Sequence, residues 1–285
     1  MRAAVCQMAS TADLDANRAA AAAAVRAQAL AGADLIVLPE AASQPFPPAR
    51  SGARPPVPLL AEPLDGPFVH ALTAAVAGTD ATVVAGTFEP ARGSRVHNTL
   101  VVVDRRGLRT HYRKVHLFDA LGWRESDQVE AGDPVRDGVC VFTAAGARVG
   151  VMTCFDLRFP EMARALVDRG AEVLVVPAAW VHGPGKADQW EVLLRARAIE
   201  STAYACGAAQ PGPAYCGTSM IVDPRGAVVE RLGADGTGSA AGVVDPTVVA
   251  EVRQALPVLA SRRYEVRPRC PERDSNPHTL TGRGF

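Results

Sequence analysis

The octapeptide GADLIVLP at 32–39 returns as GAEVLVVP at 170–177, and this repeat narrows the folds open to the chain more than any other feature. Each copy steps from glycine, alanine and an acid into four consecutive aliphatic residues closed by proline. An unbroken aliphatic run of that kind reads as a strand covered on both faces. The segment VVVDRRGL at 101–108 likewise returns as MIVDPRGA at 220–227, each with a hairpin signal at its charged, glycine-containing turn. A helical stretch lies between the two features in each half, at 66–78 and 187–202. Two similar α/β halves follow. Two sheets packed face to face with helices outside would cover every apolar strand. The expected architecture is an α/β, four-layer α-β-β-α sandwich. It is expected to form one domain over 1–266, because no linker-like change of composition falls near the middle.

Bulk properties exclude several classes. Hydrophobic residues make up 48%, enough for a large core, while Lys+Arg and Asp+Glu both number 30. That balance removes the electrostatic case for nucleic acid or an anionic membrane as partner. No apolar stretch approaches the roughly 18–20 residues that span a bilayer. The opening MRAAVCQMASTADLD meets acids too early for a signal peptide. The six cysteines (6, 140, 154, 206, 216 and 270) include no C-x-x-C pair, which argues against a zinc or dithiol redox site. With no export signal, a cytoplasmic location with free thiols is expected.

Along the chain, strands are expected at 2–8, 34–38, 81–86, 99–103 and 108–112, and an alanine-rich helix at 15–30. Residues 41–63 read as a proline-rich rim loop. The last stretch, 267–285, has three prolines, few aliphatic residues and no periodicity, and is expected to be a disordered tail. Its ERDSNP at 272–277 resembles a transfer-RNA gene translated in reverse, so a read-through origin is expected for it.

Chemistry points to RVGVMTCFDLRFPE at 148–161. A short apolar strand runs into Cys154 and stops. Pro160 and Glu161 then begin a helix, since proline suits the first helical position and a carboxylate suits the positive end of the dipole. A thiol at such a turn is presented to a cleft beside backbone N–H groups. A core cysteine behaving as a small hydrophobe fits this stretch equally well. A nucleophilic thiol needs a base, an oxyanion donor and a proton source. Glu40 ends the first aliphatic strand, Lys114 sits in YRKVHLF among apolar neighbours, and Glu125 lies in the loop WRES. Taken singly, each also reads as an ordinary surface charge.

Taken together, LPE at 38–40, YRKVHLFD at 112–119 and TCFDLRFPE at 153–161 resemble the carbon–nitrogen hydrolase (nitrilase-like) superfamily. WEVLLRARAIES at 190–201 and GTSMIVDPRG at 217–226 support the likeness, which covers about residues 2–265. The resemblance implies a glutamate–lysine–cysteine triad in an α-β-β-α fold, often a homodimer or higher homo-oligomer, with no metal or organic cofactor. Glu40 would be the general base and Cys154 the nucleophile. Lys114 and the Phe155 backbone N–H would hold the oxyanion, and Glu125 would orient Lys114 or the substrate. The Lys114 ammonium and the helix beginning at Pro160 are expected to lower the Cys154 thiol. Many relatives carry tyrosine where this chain has Phe155, so any contact from that hydroxyl is missing.

The expected reaction is cysteine-dependent cleavage of the C–N bond of a small linear amide bearing a carboxylate. HLFDALGWRES and HGPGKADQWEVLLRARAIES look most like the ω-amidase and deaminated glutathione amidase branch. An N-carbamoyl amino acid hydrolase, a nitrilase and a non-catalytic scaffold are the alternatives. Trp180 is a candidate pocket wall. Arg158 is a candidate carboxylate ligand, although a salt bridge within its own turn is the favoured reading. His111 and His116 read as structural or exposed. Arg195 and Arg197 are expected to make ion pairs in the fold or at a dimer interface.

Overall fold

In the computed structural model, residues 1–46 and 59–268 are described. Part of the rim loop and nearly all of the expected tail lie outside them. The chain begins with β1 (Arg2–Gln7), α1 (Leu14–Leu30), β2 (Leu35–Val37), α2 (Pro67–Ala75), β3 (Thr82–Pro90), β4 (Val96–Asp104) and β5 (Gly107–Arg113). A two-residue pair, β6 (Asp119–Ala120) and β7 (Trp123–Arg124), leads to β8 (Val141–Ala144) and β9 (Ala147–Val151). Then follow α3 (Pro160–Asp168), β10 (Val173–Ala178), α4 (Lys186–Ser201), β11 (Tyr204–Ala209), β12 (Met220–Val222), β13 (Val228–Arg231), β14 (Gly238–Val243) and α5 (Pro246–Ala255).

The strands form two six-stranded sheets, in the orders β14-β1-β2-β3-β4-β5 and β13-β12-β11-β10-β9-β8. In each, three parallel strands run into an antiparallel hairpin on one side, and one antiparallel strand closes the other. The two octapeptides occupy equivalent places, at β2 and β10. Pro177 differs from Pro39 in lying inside its strand rather than beyond it.

Strand alternation decides the layers. Ala3, Val5, Leu35, Val37, Leu100 and Val102 point between the sheets, into a cluster with Val149, Val151 and Val175. Their neighbours Ala4, Cys6, Ile36, Val101 and Val103 pack outward against Val25 of α1 and Leu72 of α2. On the second sheet, Leu166 of α3 lies against Gly150, and Trp190 and Leu194 of α4 against Gly207, where a Cβ would sit 2.6 Å from both side chains. The four layers are thus α1/α2, sheet, sheet, α3/α4. Three helix starts are visible in the residues: the Asp13 carboxylate accepts from Ala16 N at 3.0 Å, and Pro67 and Pro160 open α2 and α3.

Candidate active site

The site lies where the parallel strands end, the usual location for a cleft in open α/β sheets. Glu40 follows β2 after Leu38 and Pro39, and the backbone there presses on β3. Gly86 N donates to Pro39 O at 3.0 Å, and a Cβ on Gly86 would stand 2.6 Å from Glu40 Cα, so only glycine fits. Lys114 comes one residue past β5. Its N–H donates to Asn98 O of β4 at 2.9 Å, and its own carbonyl accepts from Gly132 N at 2.9 Å. Glu125 begins a short 3₁₀ turn, Glu125–Asp127.

These elements bring three charges together away from water. Lys114 Nζ donates to Glu40 Oε1 at 3.0 Å and to Glu125 Oε2 and Oε1 at 2.8 and 3.1 Å. The exposures of Glu40, Lys114 and Glu125 are 1%, 2% and 2%. Glu40 Oε2 accepts from Ala179 N at 2.8 Å, just past β10, and Glu125 Oε2 accepts from Phe118 N at 2.7 Å. Burial alone would pull the Lys114 ammonium down, but Glu125 and Glu40 outweigh it and hold it well above its ordinary value. Burial pushes the Glu125 carboxyl up, Lys114 opposes and Glu40 adds to the push.

Cys154 sits differently from the direct strand-to-helix step expected above. Strand β9 stops at Val151, and a 3₁₀ turn over Cys154–Arg158 separates it from α3. Cys154 itself has φ +45°, a left-handed conformation that a non-glycine residue adopts only when its surroundings hold it there. Asp156 does much of that holding. Its fully buried carboxylate accepts from Thr153 N at 2.8 Å, Tyr112 Oη at 2.7 Å and His116 N at 3.3 Å, and its Oδ1 lies 2.7 Å from His116 Nδ1. Tyr112 and His116 flank Lys114, so one carboxylate ties the cysteine's turn to the lysine's segment.

The thiol is also pushed the opposite way from the sequence-based expectation. Burial raises Cys154 well above the ordinary thiol range, and the adjacent Glu40 carboxylate raises it further against the pull of Lys114. The helix at Pro160 is a 3₁₀ turn away and cannot offset this. Phe155 N–H, in the first turn of the 3₁₀ segment, has no acceptor within that turn.

Cys154, Glu40, Lys114 and Glu125 line one cavity of about 620 Å³. Trp180 forms part of its wall, as expected, with Nε1 donating to Lys186 O at 2.9 Å. The Arg158 guanidinium lies 4.8 Å over the Trp180 ring and donates to Gln189 Oε1 at 2.7 Å. It has no carboxylate within salt-bridge distance among the described residues, which corrects the ion pair favoured for its turn. Arg195 and Arg197 do pair within α4, with Glu191 at 3.8 Å and Glu200 at 2.9 Å.

Four contributors escaped the sequence reading: Asn98, Asp156, Lys186 and Gln210. Lys186 opens α4 and lines the same cavity as Arg158. Its ammonium is held below its ordinary value by burial and by Arg158. Gln210 Nε2 donates to the carbonyls of Glu40 and Ala41 at 2.8 and 2.9 Å. Asn98 carried a legible signal, being a polar residue inside the apolar β4 run, while Asp156 stands in a motif where the neighbouring cysteine drew attention first.

Two stacked sheets thus bring a buried thiol, carboxylate and ammonium into one cleft. The carbon-nitrogen hydrolase family model matches residues 2–254, and the chain belongs to that family. A hydrolase of Mycobacterium tuberculosis is 36% identical over 280 residues, covering 92% of this chain and 95% of that protein. Human deaminated glutathione amidase is 36% identical over 282 residues, covering 92% and 82%. Among solved structures, Saccharomyces cerevisiae Nit3, a member of branch 10 of the nitrilase superfamily, aligns with a TM-score of 0.75 at 25% identity, covering 93% and 97%. The protein is an enzyme of amidase type acting on C–N bonds.

Proposed function

We propose that the protein hydrolyses a small linear amide carrying a carboxylate, through a thioester on Cys154. The observation that carries this reading is the buried Glu40–Lys114–Glu125 cluster set against a neutral, raised thiol. Such a thiol needs a base at the moment of attack, and the Glu40 carboxylate stands beside it in the same cavity. Glu40 takes the Sγ proton as sulfur adds to the amide carbonyl carbon. The negative charge that develops on the carbonyl oxygen is held by the Lys114 ammonium and the Phe155 N–H. Glu40 then returns its proton to the nitrogen, the C–N bond breaks, and ammonia or an amine departs. Water, losing a proton to Glu40, attacks the thioester, and the acid leaves as Sγ regains its proton. Glu125 acts through Lys114, keeping the ammonium charged and aimed.

The carboxylate in the substrate is suggested by Arg158 and Lys186. Both cations line the cavity beside Trp180 with no carboxylate partner among the described residues. The deaminated glutathione amidase relatives agree with this choice. Ammonia release from a panel of dicarboxylate monoamides, N-carbamoyl amino acids and nitriles tests the reading. Release from the monoamides supports it; preference for either other class replaces it with one of the alternatives, and none at all with a non-catalytic role.

The five described cysteines are free, and no described helix is long and apolar enough to cross a membrane; a cytoplasmic setting is part of this reading. A homodimer or higher homo-oligomer is supported by Val192 and Ile199, exposed 62% and 46% seven residues apart along α4. Sedimentation of the full chain at two concentrations tests it.

A further inference from the structure

Asn98 reaches further into the site than any residue expected to belong there. Its Nδ2 donates to Glu40 Oε1 at 2.7 Å and to Glu125 Oε1 at 2.9 Å. Lys114 Nζ donates to the same two oxygens. The two donors and two acceptors close a four-membered ring in which each carboxylate oxygen receives one charged and one neutral hydrogen bond. The side-chain orientation is compelled, because turning the amide over would set Oδ1 against both carboxylates. The asparagine is 1% exposed, and Oδ1 has no hydrogen-bond partner among the described residues.

That orphaned oxygen argues against a purely structural role. A buried carbonyl left unpaired destabilises the fold, and an aliphatic residue on β4 would avoid it. What the asparagine supplies is two N–H donors with no charge. Two carboxylates beside one ammonium carry a net negative charge in a dry site, and such a pair tends to take up a proton. A second lysine would neutralise the cluster but would draw the Glu40 electrons away from the thiol. A neutral double donor holds the carboxylates apart and charged without doing so.

We propose that Asn98 is a positioning residue that clamps Glu40 to Glu125 and keeps both ionised beside Lys114, so that Glu40 is free to accept the Cys154 proton. This rests on the amidase reading for its rate effects, but not for its effect on the thiol. The titratable groups facing the clamp are Glu40 behind β2, Lys114 behind β5, Glu125 in its 3₁₀ turn, Cys154 in the nucleophile turn and Tyr215 across the cavity.

The test compares Asn98→Leu and the isosteric Asn98→Asp with the parent enzyme. Two readouts are followed across about pH 6 to 9.5: amide turnover, and alkylation of Cys154 by iodoacetamide. In N98L the carboxylate pair takes up a proton, so kcat falls roughly 10- to 100-fold, the range expected for losing a hydrogen bond to a charged group. KM is expected to stay within about threefold, since uniform binding is untouched. The N98L/parent ratio of kcat recovers as pH rises and the proton is lost. N98D behaves oppositely: its carboxyl replaces one donor only while protonated, so its ratio falls as pH rises. While the pair holds its extra proton, less negative charge stands beside the thiol, so at the low end of this range N98L is alkylated faster than the parent.

Opposite pH trends for the two variants support the clamp. Flat ratios for both, or N98L turnover within about threefold of the parent, overturn it. If N98L does not fold, the isosteric N98D decides by its own ratio. If the parent hydrolyses no amide, the amidase reading fails, and the alkylation profiles still judge the clamp: an N98L rate no faster than the parent's at the low end of the range overturns it.

Discussion

Tyr112 Oη donates to Asp156 Oδ2 at 2.7 Å, joining the end of β5 to the turn that presents Cys154. The same hydroxyl accepts from Val115 N at 3.2 Å, so it is a relay between the lysine's segment and the cysteine's. Burial and the Asp156 carboxylate push the Tyr112 hydroxyl well above its ordinary range, which favours its role as a donor. Tyr112→Phe should cost about 1–3 kcal/mol, since a buried carboxylate loses a donor and a buried N–H an acceptor. We expect kcat to fall and KM to change little, as the left-handed Cys154 is freed to relax. Urea unfolding and steady-state kinetics on the same preparation check both.

Removing the cluster's charges should separate chemistry from stability. Glu40→Gln and Cys154→Ala should abolish turnover with little loss of stability. Lys114→Ala leaves two buried carboxylates without a counter-ion and should cost about 3–5 kcal/mol in addition. Melting curves beside ammonia release distinguish the three.

Glu40→Gln carries a second expectation. Burial is the first cause of the raised thiol and the Glu40 charge the next. Deleting that charge should move the alkylation midpoint of Cys154 to lower pH even as turnover disappears. A midpoint that rises would mean the carboxylate is not the thiol's neighbour in solution.

Substrate charge should be read by Arg158 and Lys186. Neutralising either, as Arg158→Gln or Lys186→Gln, should raise KM for a dicarboxylate monoamide about 5- to 100-fold, the loss of one charge-assisted contact. The same variants should leave a neutral amide of equal length nearly unchanged. Comparing kcat/KM for the two amides checks this.

Two buried thiols make the fold sensitive to alkali. Burial raises Cys6 to about 11 and Cys206 to about 12. The folded state keeps these thiols protonated where the unfolded chain ionises near 8.5. Their contribution is therefore complete below about pH 8.5 and is lost as pH rises toward the folded values, at up to about 1.4 kcal/mol per pH unit per thiol. Cys206→Ala should flatten the fall of urea stability between about pH 8.5 and 10.

The repeat, the layers and the residues Glu40, Lys114, Glu125 and Cys154 could be read from the chain because each is announced locally, by an aliphatic run or a short motif. What could not be read depends on distant pairing. Strand β14 enters the first sheet through Arg2 to Gln7, some 230 residues away in sequence, and nothing in GSAAGV announces it. The direction of the Cys154 shift was missed for the same reason. A nearby lysine and a helix start are visible in a motif, whereas the burial and the Glu40 contact that outweigh them arise only when the sheets close. Lys186 looks ordinary until the cavity gathers it beside Arg158.

The two halves of the chain share the centre unequally. Glu40, Asn98, Lys114 and Glu125 all come from the first half; Cys154 and the Ala179 N–H that fixes Glu40 come from the second. A nascent chain emerging from the ribosome would carry Glu40, Asn98, Lys114 and Glu125 before Cys154 is made. The cluster is therefore completed last, with the docking of the second sheet onto the first.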